Sequence, residues 1–421
     1  MRKLLGLAAV VMLCAALAAG AVQASGKATV KLTFATYVWQ PSTVAANNAI
    51  VAAWNKSHAD IQVEVVPVDV NSVHDKLLTS FVGGTAADVI HDEAADIAGF
   101  VGQGYLADMT SLVSKKLYAS IPKDTWQTVN FGRKLYGVPS LIQTYNVFAN
   151  MDILTAAGIK PPTADAPWTW DRFREVAKQL TTSDRFGVCW GVRTPAAAIQ
   201  TLGLNFGAQF MYLVNGRWEF KWGAAEQKVP LTIHDMMYVD KSLDPAMSGV
   251  NTTGSMASFL GRKCALAMGG NFLAQQISSQ GSSGFKWAQF PLLKGDTQNQ
   301  VANPQTYSIS QQSQHKAEAA QFIEFLVNAQ NLSALGQGDW LIPASPAAAA
   351  DAIKTTGFKG VWRVNADSTK YFRKGNWVAL AAYARWKSEV AQPAFVQYLK
   401  NQITLDQLGA NLAAGWTRVR G

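Results

Sequence analysis

Cysteine is nearly missing from this chain: there are three in 421 residues, at Cys14, Cys189 and Cys264. That is too few for a scaffold stapled by disulfides, and no Cys-x-x-Cys pair is present to suggest zinc. Histidine is as sparse. His58, His74, His91, His234 and His315 are scattered, with no His-Glu-x-x-His pattern, so no metal site is expected. Charged residues make up only 15% of the chain, and no dense Lys/Arg run is interleaved with aromatics, which argues against a nucleic-acid partner. There is no Gly-x-Ser-x-Gly nucleophile elbow and no phosphate loop. Only one long apolar run exists, and no other approaches the roughly 18 residues needed to span a bilayer.

That single run is at the N-terminus. Arg2 and Lys3 precede apolar residues 4–17, followed by small residues and the triplet Val22-Gln23-Ala24. This is the pattern of a secretory signal peptide (residues 1–24), cleaved near Ala24. Cys14 raises the lipoprotein alternative, but Leu13 stands where a lipobox needs a small residue, so export to the periplasm is the expectation. Removing the leader leaves 397 residues and lowers the formal charge from +9 to +7, because Arg2 and Lys3 leave with it. A chain of this length, 49% hydrophobic, divides into two domains that each bury a core. Of the two remaining cysteines, Cys189 and Cys264 either pair in an oxidising compartment or pack as two small buried thiols.

The first hundred residues alternate regularly. Residues 31–36 and 61–68 read as strands, the second with β-branched residues at alternate positions. Between them Ser42 is placed to cap a helix with Val44, Val51 and Trp54 on one face. Val73, Leu77 and Phe81 at spacings of four mark a second helix, and a short strand follows at 88–91. Strand-helix-strand-helix-strand implies right-handed crossovers and a mostly parallel sheet with ligands beyond the carboxyl ends of its strands. The same alternation returns later, with an amphipathic helix through Phe173, Val176, Ala177 and Leu180 and another through Ala319, Phe322, Ile323 and Leu326.

Several short motifs occur in a fixed order. Gly137-Val138-Pro139 runs through an extended segment into a helix start at Asn150-Met151-Asp152. Upstream lie Asp88-Val89-Ile90 and Gly104-Tyr105-Leu106. Downstream lie Trp168-Thr169-Trp170-Asp171, Phe259 through Leu266 (FLGRKCAL), Phe290-Pro291-Leu292, His315 through Ala320 (HKAEAA) and Thr404-Leu405-Asp406. In order and spacing this set resembles the family 1 extracellular solute-binding proteins of ABC importers, the sugar-binding, maltose-binding-protein-like type. Ala87 departs from it, standing where the family usually has Pro.

The resemblance implies an α/β fold of two lobes, the type II periplasmic-binding-protein arrangement, with three hinge crossings near 141–145, 301–306 and 341–345. Lobe 1 would comprise 25–142 plus 304–342, and lobe 2 would comprise 143–303 plus 343–421. A solute enclosed between them needs apolar faces for its C–H groups and paired polar groups for its hydroxyls, since an unpaired buried polar group costs about 1–3 kcal/mol. Trp39 and Gln40 follow the first strand, and Trp39 either stacks on solute or packs in the core. Asp92 and Glu93 follow the third strand; as neighbours on extended chain they diverge, which disfavours a catalytic carboxylate pair.

Gln143 takes the place where the family commonly carries Asp or Glu, removing a fixed negative charge and easing entry of an anionic solute. Tyr145 either joins the site or packs in the hinge. On the second lobe, Trp190, Arg193 and Thr194 follow the Cys189 strand, with Arg193 either clamping an anion or lying solvated. Asn271 and Phe272 replace the family's Gly-x-Trp exit. Asn303 and Tyr307 flank the second crossing, Trp340 precedes the third, and Trp386 lies on a helix that can equally bury it.

These readings converge on a monomeric periplasmic protein that binds a carbohydrate or related polyol, including acidic or phosphorylated ones. It would deliver the solute to the membrane subunits of an ABC permease by hinge closure, with no cofactor and no catalysis. The competing readings are a secreted carbohydrate-active enzyme and a sensor subunit for a membrane receptor.

Overall fold

A computed structural model describes residues 29–421 apart from Asn71, Phe358, Lys359 and Ala379. The expected leader and its cleavage site lie outside the described residues. The chain opens with β1 (Val30–Val38), α1 (Pro41–Ser57), β2 (Ile61–Asp69), α2 (Val73–Val82), β3 (Val89–Glu93) and α3 (Ala94–Gly102). β1 pairs in parallel with β2 along its length and with β3 at Phe34 and Ala35. Leu32 and Phe34 on β1 and Val89 and Ile90 on β3 have no exposed surface, as central strands covered on both faces require. Pro67 is accommodated because β2 is an edge strand. α2 buries Val73, Leu77 and Phe81, the residues that mark it in the sequence.

The start of α1 differs from expectation. The helix begins two residues earlier, at Pro41 with Gln40 as its cap, and the fixed φ of proline suits a first helical position. Ser42 is therefore inside the helix, and its hydroxyl donates to the Gly338 carbonyl 2.7 Å away instead of capping.

After a small hairpin the chain forms β4 (Val138–Ile142), crosses at Gln143 and Thr144, and enters the second sheet as β5 (Tyr145–Asn150). The second lobe follows with α4 (Trp170–Leu180), β6 (Phe186–Cys189), α5 (Ala196–Gly203), β7 (Cys264–Gly270) and β8 (Trp287–Gln289). It returns through β9 (Pro304–Ile309), α6 (Lys316–Leu326), α7 (Ala329–Asp339) and β10 (Ile342–Pro343). The six-stranded sheet has the order β10-β4-β9-β3-β1-β2, and the four-stranded sheet β8-β5-β7-β6. Each is flanked by helices, giving a two-lobed α/β fold.

The sheets are mixed rather than mostly parallel. Only β1–β2, β1–β3 and β6–β7 are parallel within them; β9 runs antiparallel to both β3 and β4, and β5 to both β7 and β8. The cause is the hinge: a strand arriving from the other lobe enters its new sheet from the end where the parallel strands finish.

Cys189 and Cys264 form a disulfide between β6 and β7, with Cα atoms 5.5 Å apart. The first two crossings are tied by side-chain amides. Gln300 exchanges both its amide groups with the Tyr145 backbone at 2.8 and 2.9 Å. Asn271 accepts from the Thr144 amide and donates to the Trp340 carbonyl. Trp340 has φ of 56°, a left-handed conformation costly for a bulky residue and held here by that bond. The third crossing lies later than 341–345. Ile342 and Pro343 pair with β4, and the helix Pro346–Thr355 that follows still packs on α7. The chain reaches the second lobe at Val361–Ser368, where Asn365 accepts a bond from Gln289 of β8. Residues 343–355 thus belong with the first lobe.

Candidate functional site

Where the crossings meet, a cavity of about 250 Å³ opens between the sheets. From the first lobe and the crossings it is lined by Glu93, Gln143, Tyr145, Val301 and Asn303. The second lobe adds Gly191, Val192 and Thr194 after β6, Ala197, Ala198 and Thr201 of α5, Thr252, Gly270 and Phe272. A third contribution, from late in the chain, is Lys387 and Gln392. Glu93, Gly191 and Gly270 sit at or just past the carboxyl ends of β3, β6 and β7, where open α/β sheets receive ligands. Gly191 allows close approach of the backbone: a Cβ there would meet the Asn251 carbonyl oxygen at 2.2 Å.

Glu93 is the electrostatic centre of the wall. Its carboxylate accepts from Asn303 Nδ2 at 2.9 Å, while Asn303 Oδ1 accepts from the Ala95 amide, so the Asn303 side chain is fixed at both ends. Burial first, then Asp96 and Asp92, raise the Glu93 pKa to about 7 against the opposing effect of Lys387 and Asn303. Lys387 Nζ lies 2.6 Å from Asp96 Oδ1, and both side chains are 18% exposed. The ionisable groups at and beside the cavity are therefore Glu93, partly protonated near neutral pH, and the Lys387–Asp96 pair, whose charges offset each other. Gln143 lacks the carboxylate usual at its place, but Glu93 brings one from a different strand. Burial also raises the Tyr145 hydroxyl pKa, leaving it a neutral donor.

The cavity mouth is closed on one side by aromatics from both lobes. Trp39 and Phe272 meet edge to face with centroids 5.1 Å apart. Trp39 is held by its indole N–H on Asp339 Oδ1 at 3.1 Å, and Asp339 also accepts from Thr43 and Gln305. Burial raises the Asp339 pKa to about 7 against those three donors. The polar chain continues from Gln305 to His91 Nε2 at 3.1 Å and from His91 Nδ1 to Thr36 at 2.9 Å. Burial lowers the His91 pKa to about 3, so the imidazole is neutral.

Of the residues the sequence nominates, the cavity brings together Glu93, Gln143, Tyr145, Asn303, Phe272 and Thr194, with Trp39 at its rim. Gln40 is buried beside Trp39, and neither amide atom has a protein partner. Asp92 diverges from Glu93 as expected: it is buried away from the cavity lining, accepting from Tyr37 at 3.3 Å with His74 Nδ1 3.9 Å away.

Other nominations are corrected. Trp190 is walled into the second core beside Trp170. Tyr307 is edge-on to Phe34 in the first core, because its β9 position faces inward. Trp386 is fully buried with its indole N–H on the Leu412 carbonyl. Asn271 ties crossings rather than lining the cavity, and Trp340 sits half-buried against Trp362. Arg193 is exposed outside the cavity. The sequence reading missed Lys387, Gln392, Asp96 and Asp339. No local pattern marks the first two, which reach the cleft from nearly two hundred residues beyond the motifs of β6.

The family described as bacterial extracellular solute-binding protein matches residues 40–332. An uncharacterised lipoprotein in the oleD 5′ region of Streptomyces antibioticus is 36% identical over 407 residues, which is 96% of this chain and 89% of that protein. Among solved structures, an ABC substrate-binding protein from Listeria monocytogenes in complex with cycloalternan superposes with a TM-score of 0.77 at 19% identity, covering 93% of this chain and 98% of that one. An ABC transporter solute-binding protein from Thermotoga lettingae bound with α-D-tagatose gives 0.78 at 16% identity, covering 93% and 100%. The match across most of the chain and the long relative agree with the two-lobed cleft: this chain belongs to the bacterial extracellular solute-binding proteins.

Proposed function

We propose that the protein captures a small neutral sugar or polyol between its lobes and delivers it to the membrane permease of an ABC importer by hinge closure. The observation that carries this reading is the cavity itself. Its amides, hydroxyls and carboxylate converge from both lobes and the crossings, so a solute there binds the closed form better and shifts the population toward it. Tyr145, Thr194, Thr201, Thr252, Gln143, Asn303 and Gln392 supply donors and acceptors for hydroxyls, and Phe272 with Trp39 an apolar edge.

Two features narrow the solute. At about 250 Å³ the cavity falls just below the usual range of roughly 300–1,000 Å³ for larger ligands, which favours a mono- or disaccharide in this arrangement. Lys387, the one cation lining the cavity among the described residues, is already paired with Asp96, and Arg193 stays outside, which favours neutral over acidic or phosphorylated solutes. Superposed relatives hold ligands as different as tagatose and cycloalternan, so size is a property of each cleft.

A thermal-shift screen of mature protein against neutral mono- and oligosaccharides, polyols, uronates and glycerol phosphodiesters tests the reading. Ligand at about 100 times its Kd adds roughly 2.7 kcal/mol. A shift from a neutral sugar recovered unchanged supports capture; a sugar recovered cleaved indicates an enzyme, and a shift from uronates alone overturns the charge argument. Export with cleavage near Ala24 is tested by intact mass of the secreted protein. The Streptomyces relative is named a lipoprotein, and an acylated N-terminus at Cys14 would replace the soluble periplasmic reading.

A further inference from the structure

We propose that Lys387, through Asp96, is the clasp that holds the two lobes together over the cleft. The inference rests on the cleft being the solute site, but its geometry stands apart from which solute that is. Asp96 lies in the first turn of α3, three residues after Glu93, and belongs to the first lobe. Lys387 opens a π-helical turn, Lys387–Ala391, directly after the helix Tyr383–Trp386. Single π turns recur at functional positions because the extra residue redirects a side chain. This turn is anchored to second-lobe elements: Trp386 donates to Leu412, and the Gln392 amide oxygen accepts from the Ala196 amide at the start of α5. The Lys387–Asp96 bond therefore joins one lobe to the other.

The surrounding surfaces fit that task. α3 presents Gly99 and Gly102 to Ala381 and Ala384, and a Cβ on Gly102 would lie 3.1 Å from that of Ala381. Small residues on both sides let the backbones approach until the side chains of Lys387 and Asp96 meet. Lys387 Nζ also lies 6.0 Å from the Tyr383 ring, whose hydroxyl is bonded to Gln200. At 18% exposure each partner is shielded from salt more than a surface pair is. Separating the lobes must break this bond as well as the Trp39–Phe272 contact. Glu93 and Lys387 line the same cavity, so a solute resting on both adds to the closed state what the clasp already supplies.

Small-angle scattering of ligand-free mature protein tests this without a solute. K387M and D96N should each raise the radius of gyration, shifting the closed-to-open ratio toward open by roughly tenfold. K387R should restore the wild-type value, and the K387M/D96N double variant should open no further than either single one. Far-UV circular dichroism and melting of each variant separate opening from unfolding. Scattering curves for K387M and D96N that coincide with wild type overturn the clasp, as does a double variant that opens by the sum of the two. These results do not depend on the sugar screen, so failure of either reading is seen separately.

Discussion

The two lobes hold their cleft walls by different means. The first lobe uses buried polar chemistry: Asp339, Gln305, His91 and Thr36 form a chain beneath Trp39, and the carboxylates with raised pKa among the described residues, Asp92, Glu93 and Asp339, all belong to it. The second lobe uses a covalent staple and close backbone packing: Cys189–Cys264 joins the two strands that lead to Gly191 and Gly270. The first lobe's wall should therefore answer to pH and the second's to reduction.

The largest effect expected from this contrast is the loss of the staple. The disulfide closes a loop with a sequence separation of 75. By the chain-entropy relation such a loop is worth about 4 kcal/mol, with measured cases commonly 2–4. The C189A/C264A variant should melt well below wild type. Dithiothreitol should lower the wild-type midpoint only once unfolding exposes the bond, because both cysteines are buried. Unchanged melting of the double alanine variant would show that the aromatic core alone secures this lobe.

The first lobe should show the pH effect, and the signs can be assigned. Asp339 has its pKa raised to about 7 in the fold, above the value near 3.9 expected of an unfolded Asp. Between those values the folded state binds more protons, so this contribution is present at low pH and lost as pH rises through about 7. His91 acts oppositely. Its pKa is lowered to about 3, so the unfolded chain takes up a proton first and stability is lost as pH falls below about 6.5. Comparing D339N with wild type in urea at pH 5 and pH 8 isolates the first term. Wild type should lose on the order of 2 kcal/mol relative to D339N over that interval. Equal slopes for the two proteins would place the Asp339 charge elsewhere in the balance.

A smaller effect is expected where the lobes touch. W39A removes the edge contact with Phe272 and leaves Asp339 without its indole donor. Affinity for whichever sugar the screen identifies should weaken by about 1–2 kcal/mol, with W39F recovering the ring contact but not the hydrogen bond. Calorimetric titration of the three proteins gives the comparison, and equal affinities would remove the aromatic rim from the site.

How much of this was legible in the sequence follows from which signals are local. Strands and helices of the first hundred residues announce themselves by periodicity, and Glu93, Gln143 and Asn303 by their distance from a strand end or crossing motif. Trp190, Tyr307 and Trp386 were misread because an aromatic just past a strand end, within a strand or on a helix carries no mark of which way the backbone turns it. That depends on packing against α4, on β9 register and on the C-terminal helices. Asp339 and Lys387 were missed for the opposite reason, being ordinary helix residues until the fold sets them against Trp39 and Asp96.

Arg193 is where the charge argument can be sharpened at the smallest scale. Its neighbour Val192 lines the cavity, yet the arginine itself is exposed, and its backbone amide is held by the Val250 carbonyl at 3.0 Å. If the cleft selects by Glu93, Asp96 and Lys387, R193A should leave neutral-sugar affinity and stability within about 0.5 kcal/mol of wild type, as for an ordinary surface substitution. An arginine that folds inward to clamp an acidic group would behave otherwise: R193A would leave neutral sugars alone while abolishing any uronate binding. The two outcomes separate in one titration series with a neutral sugar and its uronate. A uronate that binds wild type and not R193A would mean that cleft charge is set by a mobile surface arginine rather than by the groups fixed in its walls.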